Sequence, residues 1–176
     1  ISDGAGSGNR AERYSKSTIQ MLEYLMDEGV NLAFAIKLIR MYLGIKGDRE
    51  PLATLDTCAI NLLDGSLRFY KLGAVPSYIR NGSGVSEITG TGPDGELDGV
   101  DGETALQKIT EGDFVIMVSD GVYHAFCNNG QPALQKFIAS IDTVNPQQMA
   151  DMILTESTLR GKGARDDMTV LVTRLW

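Results

Sequence analysis

The chain has 176 residues, 43 % hydrophobic and 22 % charged, with 16 Lys+Arg against 23 Asp+Glu for a formal net charge of −7. At about 150 residues per domain, that length predicts one domain over the whole chain, and the composition excludes disorder and collagen-like repeats. The acidic balance argues against a nucleic-acid partner or an anionic membrane surface, both of which need positive potential, and suits divalent cations.

Glycine supplies 20 residues, which calls for many turns or special backbone positions. Cys58 and Cys127 stand in apolar stretches and predict two reduced, buried thiols rather than a disulfide framework. His124 is the single histidine, so zinc sites built on several histidines are excluded. No apolar run reaches the roughly 18 residues of a membrane helix, and no segment reads as a signal peptide. The chain begins with Ile-Ser-Asp-Gly, already inside a motif, and so predicts a fragment without its upstream elements.

Residues 1–8 read as a strand end entering a glycine-rich turn. The spacing of Tyr14, Thr18, Met21, Leu22 and Leu25 predicts a helix over 9–28, closed by Gly29. Asn31 caps a second helix carrying Leu32, Ala35, Ile36, Ile39 and Leu43 on one face and stopping at Gly44. So short a link makes the two helices a hairpin. Strands follow at 53–62 and 66–72, joined by Asp64-Gly65. Beyond Gly73 and Pro76, SYIR meets the hairpin signal Asn81-Gly82 and returns as SGVSEI. Consecutive strands on short turns pair antiparallel.

Residues 89–103 are rich in glycine and acid without periodicity. Asp94, Glu96, Asp98 and Asp101 do not follow the calcium-loop alternation, so they read as a solvent loop. A strand at 114–118 ends on Ser119-Asp120-Gly121. Helices follow at 131–141 and 146–159, the second with Asn145 as cap, Pro146 at its first position and Met149, Met152 and Ile153 facing inward. The last strand, 168–175, is entered through Arg165-Asp166-Asp167. This order predicts an α+β fold with helices on sheet faces and excludes a Rossmann-like βαβ series.

Three places repeat one pattern, an apolar strand followed by aspartate at a turn: Asp3-Gly4, Asp120-Gly121 and Asp166-Asp167. Carboxylates at strand ends converge on one rim of a sheet and supply the hard oxygen ligands that Mg²⁺ and Mn²⁺ prefer. Clustered acids repel one another, and a cation removes that cost. Glycine beside them lets the backbone approach an ion. Any one Asp-Gly pair is equally a turn signal.

The stretches ISDGAGSG, ATLDTCAINLLDGSLRFYKLGAVPSYI, GDFVIMVSDGV and ARDDMTVLV occur in that order from the first residue to near the last. Together they resemble the metal-dependent serine/threonine phosphatases of the protein phosphatase 2C type, in the bacterial branch typified by the stage II sporulation protein E phosphatase domain. The resemblance implies a β-sandwich of mainly antiparallel sheets flanked by helix pairs, here lacking its first strands. It implies Mn²⁺ or Mg²⁺, two ions in the complete domain. Asp3 would bridge both, the Gly4 carbonyl would serve one, Asp120 and Asp166 would hold the other, and Asp167 would support them. Metal-activated water then hydrolyses the phosphoester without a protein nucleophile. Neither cysteine lies in a Cys-x5-Arg loop, which argues against a cysteine phosphatase. For His124, a structural role and assistance to the leaving group both stand open.

By the same resemblance the substrate is phosphoserine or phosphothreonine on a phosphorylated anti-anti-sigma factor, in sporulation or stress signalling. Residues 9–43 would form a switch and a homodimer surface using Met21, Leu25 and Met26. The domain would be cytoplasmic, in a protein anchored upstream in the membrane at the division septum. Three departures stand against this: no upstream acidic motif, TGPDGELDG in place of Leu-Pro-x-Gly, and VYHAF where an acid commonly follows Ser-Asp-Gly. They keep a second reading open, a catalytically inactive, partner-binding domain on the same fold.

Overall fold

The computed structural model describes residues 1–45, 52–89, 105–128, 131–161 and 166–176. The chain divides into two compact units, Ile1–Asn61 with Leu67–Ala74 and Gly90–Gln107, and Leu62–Ser66 with Val75–Thr89 and Lys108–Trp176. The acidic stretch carrying Asp94, Glu96, Asp98 and Asp101 lies outside the described residues.

In the first unit, residues 1–5 run antiparallel to 52–56. Asp56 N donates to Ile1 O at 2.8 Å, Thr54 N to Asp3 O at 2.7 Å and Ala5 N to Leu52 O at 2.9 Å, with Gly4 opposite Ala53. Helix α1 (Asn9–Asp27) follows. Its end is closed by Gly29 at φ 74°. Gly29 N donates to Met26 O at 3.0 Å and Val30 N to Leu25 O at 2.9 Å, the paired bonds of a Schellman cap.

Helix α2 (Leu32–Ile45) opens on Asn31, whose Oδ1 accepts from Ala33 N at 3.0 Å. It runs one residue beyond the expected stop, so Gly44 lies within its last turn. Ala35, Ile36, Ile39 and Leu43 are buried. Tyr14, Met21, Leu22 and Leu25 of α1 lean on that core from the partly buried side.

Strands β1 (Leu55–Ile60) and β2 (Ser66–Leu72) pair antiparallel from Leu55 opposite Leu72 to Ile60 opposite Leu67. The register sets Asp56 against Lys71, and the two form an ion pair with side chains 2 % and 0 % exposed.

The expected run of sequentially paired strands breaks after β2. Strands β3 (Ser77–Asn81) and β4 (Gly84–Ile88) enter the second unit, while β5 (Ala105–Lys108), which the sequence reading missed, returns beside β2. With β6 (Phe114–Val118) and the final strand they give a four-stranded antiparallel sheet; across its chain order lie helix α3 (Asp120–Ala125), the short pair β7 (Cys127–Asn128) and β8 (Gln131–Pro132), helices α4 (Leu134–Ser140) and α5 (Pro146–Arg160), then β9 (Val170–Arg174). The strand order is β4-β3-β6-β9. Every neighbouring pair in it is antiparallel. Tyr78, Phe114, Ile116, Phe126, Met149 and Ile153 belong to its core.

The β3–β4 hairpin forms at the expected place by a different device. Asn81 faces Gly84, so Gly82 and Ser83 make the loop. Asn81 Oδ1 accepts from Ser83 N at 2.9 Å, an Asx turn, and the positive φ of 134° falls on Gly84. Asn145 caps α5 as expected, accepting from the amides of Gln147 and Gln148. Its buried row is Met149, Ile153 and Ser157, spaced by four; Met152 lies off that row and is 39 % exposed, against expectation.

The buried-thiol expectation also needs correction. Both cysteines are free, but Cys58 is only half-buried and Cys127 is exposed on its two-residue strand. Among the described residues, no helix is long and apolar enough to cross a membrane.

Candidate metal centre

Strand β6 ends with Val118 opposite Val170 of β9, which brings Ser119 beside Thr169. Ser119 N donates to Thr169 O at 3.0 Å. Thr169 N donates back to Ser119 Oγ at 2.9 Å, and Ser119 Oγ donates to Asp167 O at 3.1 Å. Ser119 stands at the N-cap of α3, yet its hydroxyl makes no capping bond. The side chain is spent on tying the entrance of β9 to the exit of β6.

Asp120 is the first residue of α3, and its Oδ1 accepts from Gly121 N at 2.8 Å. Asp166 Oδ1 likewise accepts from Asp167 N at 3.1 Å. Asp120 is half-buried, while Asp166 and Asp167 are exposed. A Cβ built on Gly121 would stand 2.6 Å from Asp167 O and 3.4 Å from Asp166 Cβ. Only glycine lets the Asp166-Asp167 backbone rest on the first turn of α3. The second unit therefore gathers Asp120, Gly121, Asp166 and Asp167 at one end of β6 and β9.

Asp3 and Gly4 stand in the first unit. Asp3 N donates to Thr54 Oγ1 at 3.0 Å. Gly4 is buried, and a Cβ there would fall 1.9 Å from the Ala11 carbonyl oxygen. Glycine at this place answers to the packing of α1 on the strand before it.

Among the described residues, no group of three or more His, Cys, Asp or Glu could hold a metal ion. Of the three aspartates there, Asp120 and Asp166 are the two expected as ligands, and they stand beside a glycine on which the Asp166-Asp167 backbone rests. That chemistry fits a hard, partly hydrated cation: Mg²⁺ keeps several waters and is usually held by one or two carboxylates plus substrate phosphate. His124 is exposed and meets the Tyr123 ring edge-on at 5.9 Å.

Sequence reading missed Ser119 and the buried pair. A serine before Asp-Gly signals only a local cap; its bond to Asp167 spans 48 residues. Burial pushes the Lys71 ammonium below its usual range, against the opposing pull of Asp56. Burial, helped by the Asp56 charge, raises the Cys58 thiol to about 12. Burial also raises the Tyr78 phenol, whose hydroxyl has no hydrogen-bond partner among the described residues.

The profile of the stage II sporulation protein E (SpoIIE) family matches residues 1–176. The chain belongs to the stage II sporulation protein E family. It is 34 % identical over 179 residues to stage II sporulation protein E of Bacillus subtilis (strain 168), covering 99 % of this chain and 22 % of that protein. The chain thus spans less than a quarter of the curated relative's length.

Among solved structures, it is similar to the PP2C phosphatase domain with a fragment of the regulatory domain of the cell fate determinant SpoIIE from Bacillus subtilis. The identity is 34 %, the TM-score 0.87, and the match covers 99 % of this chain and 53 % of that one. A Mn-presoaked structure of the phosphatase domain of the same Bacillus subtilis protein matches with 30 % identity and a TM-score of 0.65, covering 97 % of this chain and 76 % of that one. The family resemblance and the α+β class with antiparallel sheets, both expected from sequence, are borne out.

Proposed function

We propose that the chain is the phosphatase part of a metal-dependent enzyme that removes phosphate from phosphoserine or phosphothreonine of a bacterial regulatory protein. The observation that carries this is the clasp of Ser119-Asp120-Gly121 on Asp166-Asp167, which sets two carboxylates at one sheet end. Family membership and a relative described as a PP2C phosphatase domain support it.

Asp120 and Asp166 would hold Mn²⁺ or Mg²⁺. Asp3 and the Gly4 carbonyl are assigned as further ligands by resemblance, and a complete domain would take two ions. When bound, such ions supply Lewis acidity and a hydroxide-like nucleophile at neutral pH. The chain's own residues keep the donors in place: Gly121 N–H fixes the Asp120 carboxylate, and Ser119 anchors Asp167 through its carbonyl. No protein thiol is needed. Cys58, raised to about 12, is protonated at neutral pH and is no nucleophile there.

The substrate proposed is a phosphorylated anti-anti-sigma-like protein, and the longer protein is proposed to be anchored in the membrane at the division septum with this domain in the cytoplasm. A homodimer through residues 9–43 is supported by Tyr24, Phe34 and Met41, which are 65 %, 56 % and 60 % exposed, together with Met26. Met21 and Leu25 turn instead toward the chain's own core.

A non-catalytic, partner-binding reading draws on one observation, the want of any group of three metal-ligating side chains among the described residues. Phosphate release from a phosphoserine protein, measured with Mn²⁺ and with EDTA, separates the two. Release that requires Mn²⁺ supports the enzyme; none in either condition leaves the binding module.

A further inference from the structure

At the end of its sheet away from the acidic residues, the second unit lines up two cations and two aromatic rings. Arg80 of β3, Phe114 of β6 and Arg174 of β9 stand side by side on neighbouring strands, with Phe114 in register with both arginines. Each guanidinium lies 5.6 Å from the centre of the Phe114 ring, one from the strand on either side. Arg174 also lies 4.9 Å from the centre of the Trp176 ring, and Trp176 is 82 % exposed. Phe114 opens β6 and Val118 closes it, so about 14 Å of strand separates this row from the turn that carries Asp120. The screening length at physiological salt is about 8 Å, so those distant acids act on the row weakly.

Neither guanidinium is committed to an acid. Among the described residues neither forms an ion pair. Asp113, next to Phe114, spends its carboxylate on Thr110, accepting from the amide at 2.8 Å and from the hydroxyl at 3.1 Å. Arg174 Nε donates to Gly112 O at 3.5 Å, a long and weak bond. Arg80 Nη1 is buried with no hydrogen-bond partner among the described residues. A buried donor without an acceptor is costly, so turning this fork onto an anion breaks no hydrogen bond at Nη1 and supplies the missing one.

We propose that Arg80 and Arg174 bind two carboxylates of an extended acidic peptide segment, with Trp176 as the apolar plate beside them. Guanidinium is planar and presents paired N–H groups that match carboxylate oxygens, and a fork already stacked on an aromatic ring loses little freedom on binding. The strands that carry the two arginines are two spacings apart, about 10 Å, which one carboxylate does not span. Two acids three residues apart in an extended segment, at about 3.4 Å per residue, do span it. The exposed indole offers an amphipathic surface to a residue between or beside them. Binding needs neither a metal nor turnover, so the proposal stands or falls apart from the phosphatase reading.

Trp176 is the single tryptophan of the chain, so its fluorescence reports on this site alone. The test is a fluorescence titration at constant ionic strength with EDTA present. The probes are a blocked Glu-Ala-Ala-Glu peptide, its Gln-Ala-Ala-Gln twin and acetate. A saturable change with the diacid peptide and none with the twin is expected. Binding should be at least tenfold weaker in Arg80→Gln and in Arg80→Lys, which keeps the charge but loses the fork; far-UV circular dichroism checks that both are folded. Saturation by acetate at a concentration equal to or below that of the peptide overturns the peptide assignment. A non-saturable change with the peptide, an equal response to the twin, or unchanged binding in the folded variants overturns the site itself.

Discussion

Gly121 lies so close to the Asp167 carbonyl oxygen that a Cβ would stand 2.6 Å from it. The contact is to backbone, which cannot swing aside as a flexible side chain would. Gly121→Ala is therefore expected to push the entrance of β9 away from α3, at a cost of about 1–3 kcal/mol for forced overpacking. The stabilisation by Mn²⁺ should fall with it. Gly82, in open space with no positive φ, serves as the control, and Gly82→Ala should stay within about 0.5 kcal/mol. Thermal unfolding with and without Mn²⁺ reads both.

On the proposed reading, Asp120 and Asp166 would act as ligands and Asp167 as their support. Asp120→Asn and Asp166→Asn should abolish Mn²⁺-dependent phosphate release and the metal-induced rise in Tm, while metal-free stability stays at or above that of the parent. Asp167→Ala should keep much of both responses, because Ser119 is bonded to the Asp167 carbonyl, which alanine retains. Calorimetric Mn²⁺ titration of the three variants checks this; a loss in Asp167→Ala equal to that in Asp120→Asn contradicts the division.

Removing Lys71 takes from the buried Asp56 carboxylate the ammonium it is paired with. Lys71→Met is expected to cost about 3–5 kcal/mol, and pairing it with Asp56→Leu to recover most of that loss. Urea unfolding of the single and double variants measures it.

Burial holds the folded Lys71 below its usual value, so the folded chain gives up this proton before the unfolded chain does. The ammonium's cost to folding is fully present below the lowered folded value. It fades as pH rises toward the ordinary value of 10.5. In that window the unfolded state binds more protons, so stability relative to Lys71→Met should rise with pH. A flat or falling difference would show that the ion pair, not burial, dominates.

The two thiols should react at different rates. Cys127 is exposed, whereas the Cys58 thiol is raised to about 12 by burial. At pH 8 the Cys58 thiolate fraction is on the order of one in ten thousand. One equivalent of iodoacetamide should label Cys127 quickly in the native protein, with Cys58 following only on unfolding. Mass spectrometry of the labelled peptides distinguishes them.

Much of the secondary structure was legible because its causes are local. The Gly29 cap, the Asn31 and Asn145 caps, the bounds of β2 and β6, and the inward face of α2 each depend on residues within a turn or two. The acidic blocks were equally plain, since an aspartate beside a glycine is a string of letters before it is a geometry. Hairpin chemistry was only half visible: Asn81 marked the place, but cross-strand pairing put the loop on Gly82 and Ser83.

Taken alone, the sequence determined the α+β class, the helix caps at Gly29, Asn31 and Asn145 and the residue types available to a cation, because steric limits on φ and short hydrogen bonds act between near neighbours. Only the tertiary structure decided that β2 and β3 part into different sheets, that Lys71 is buried against Asp56, and that Ser119 reaches Asp167 instead of capping α3. Those outcomes turn on which distant backbones touch and which charges lose water. Such energies belong to the packed chain and have no expression in any short stretch of it.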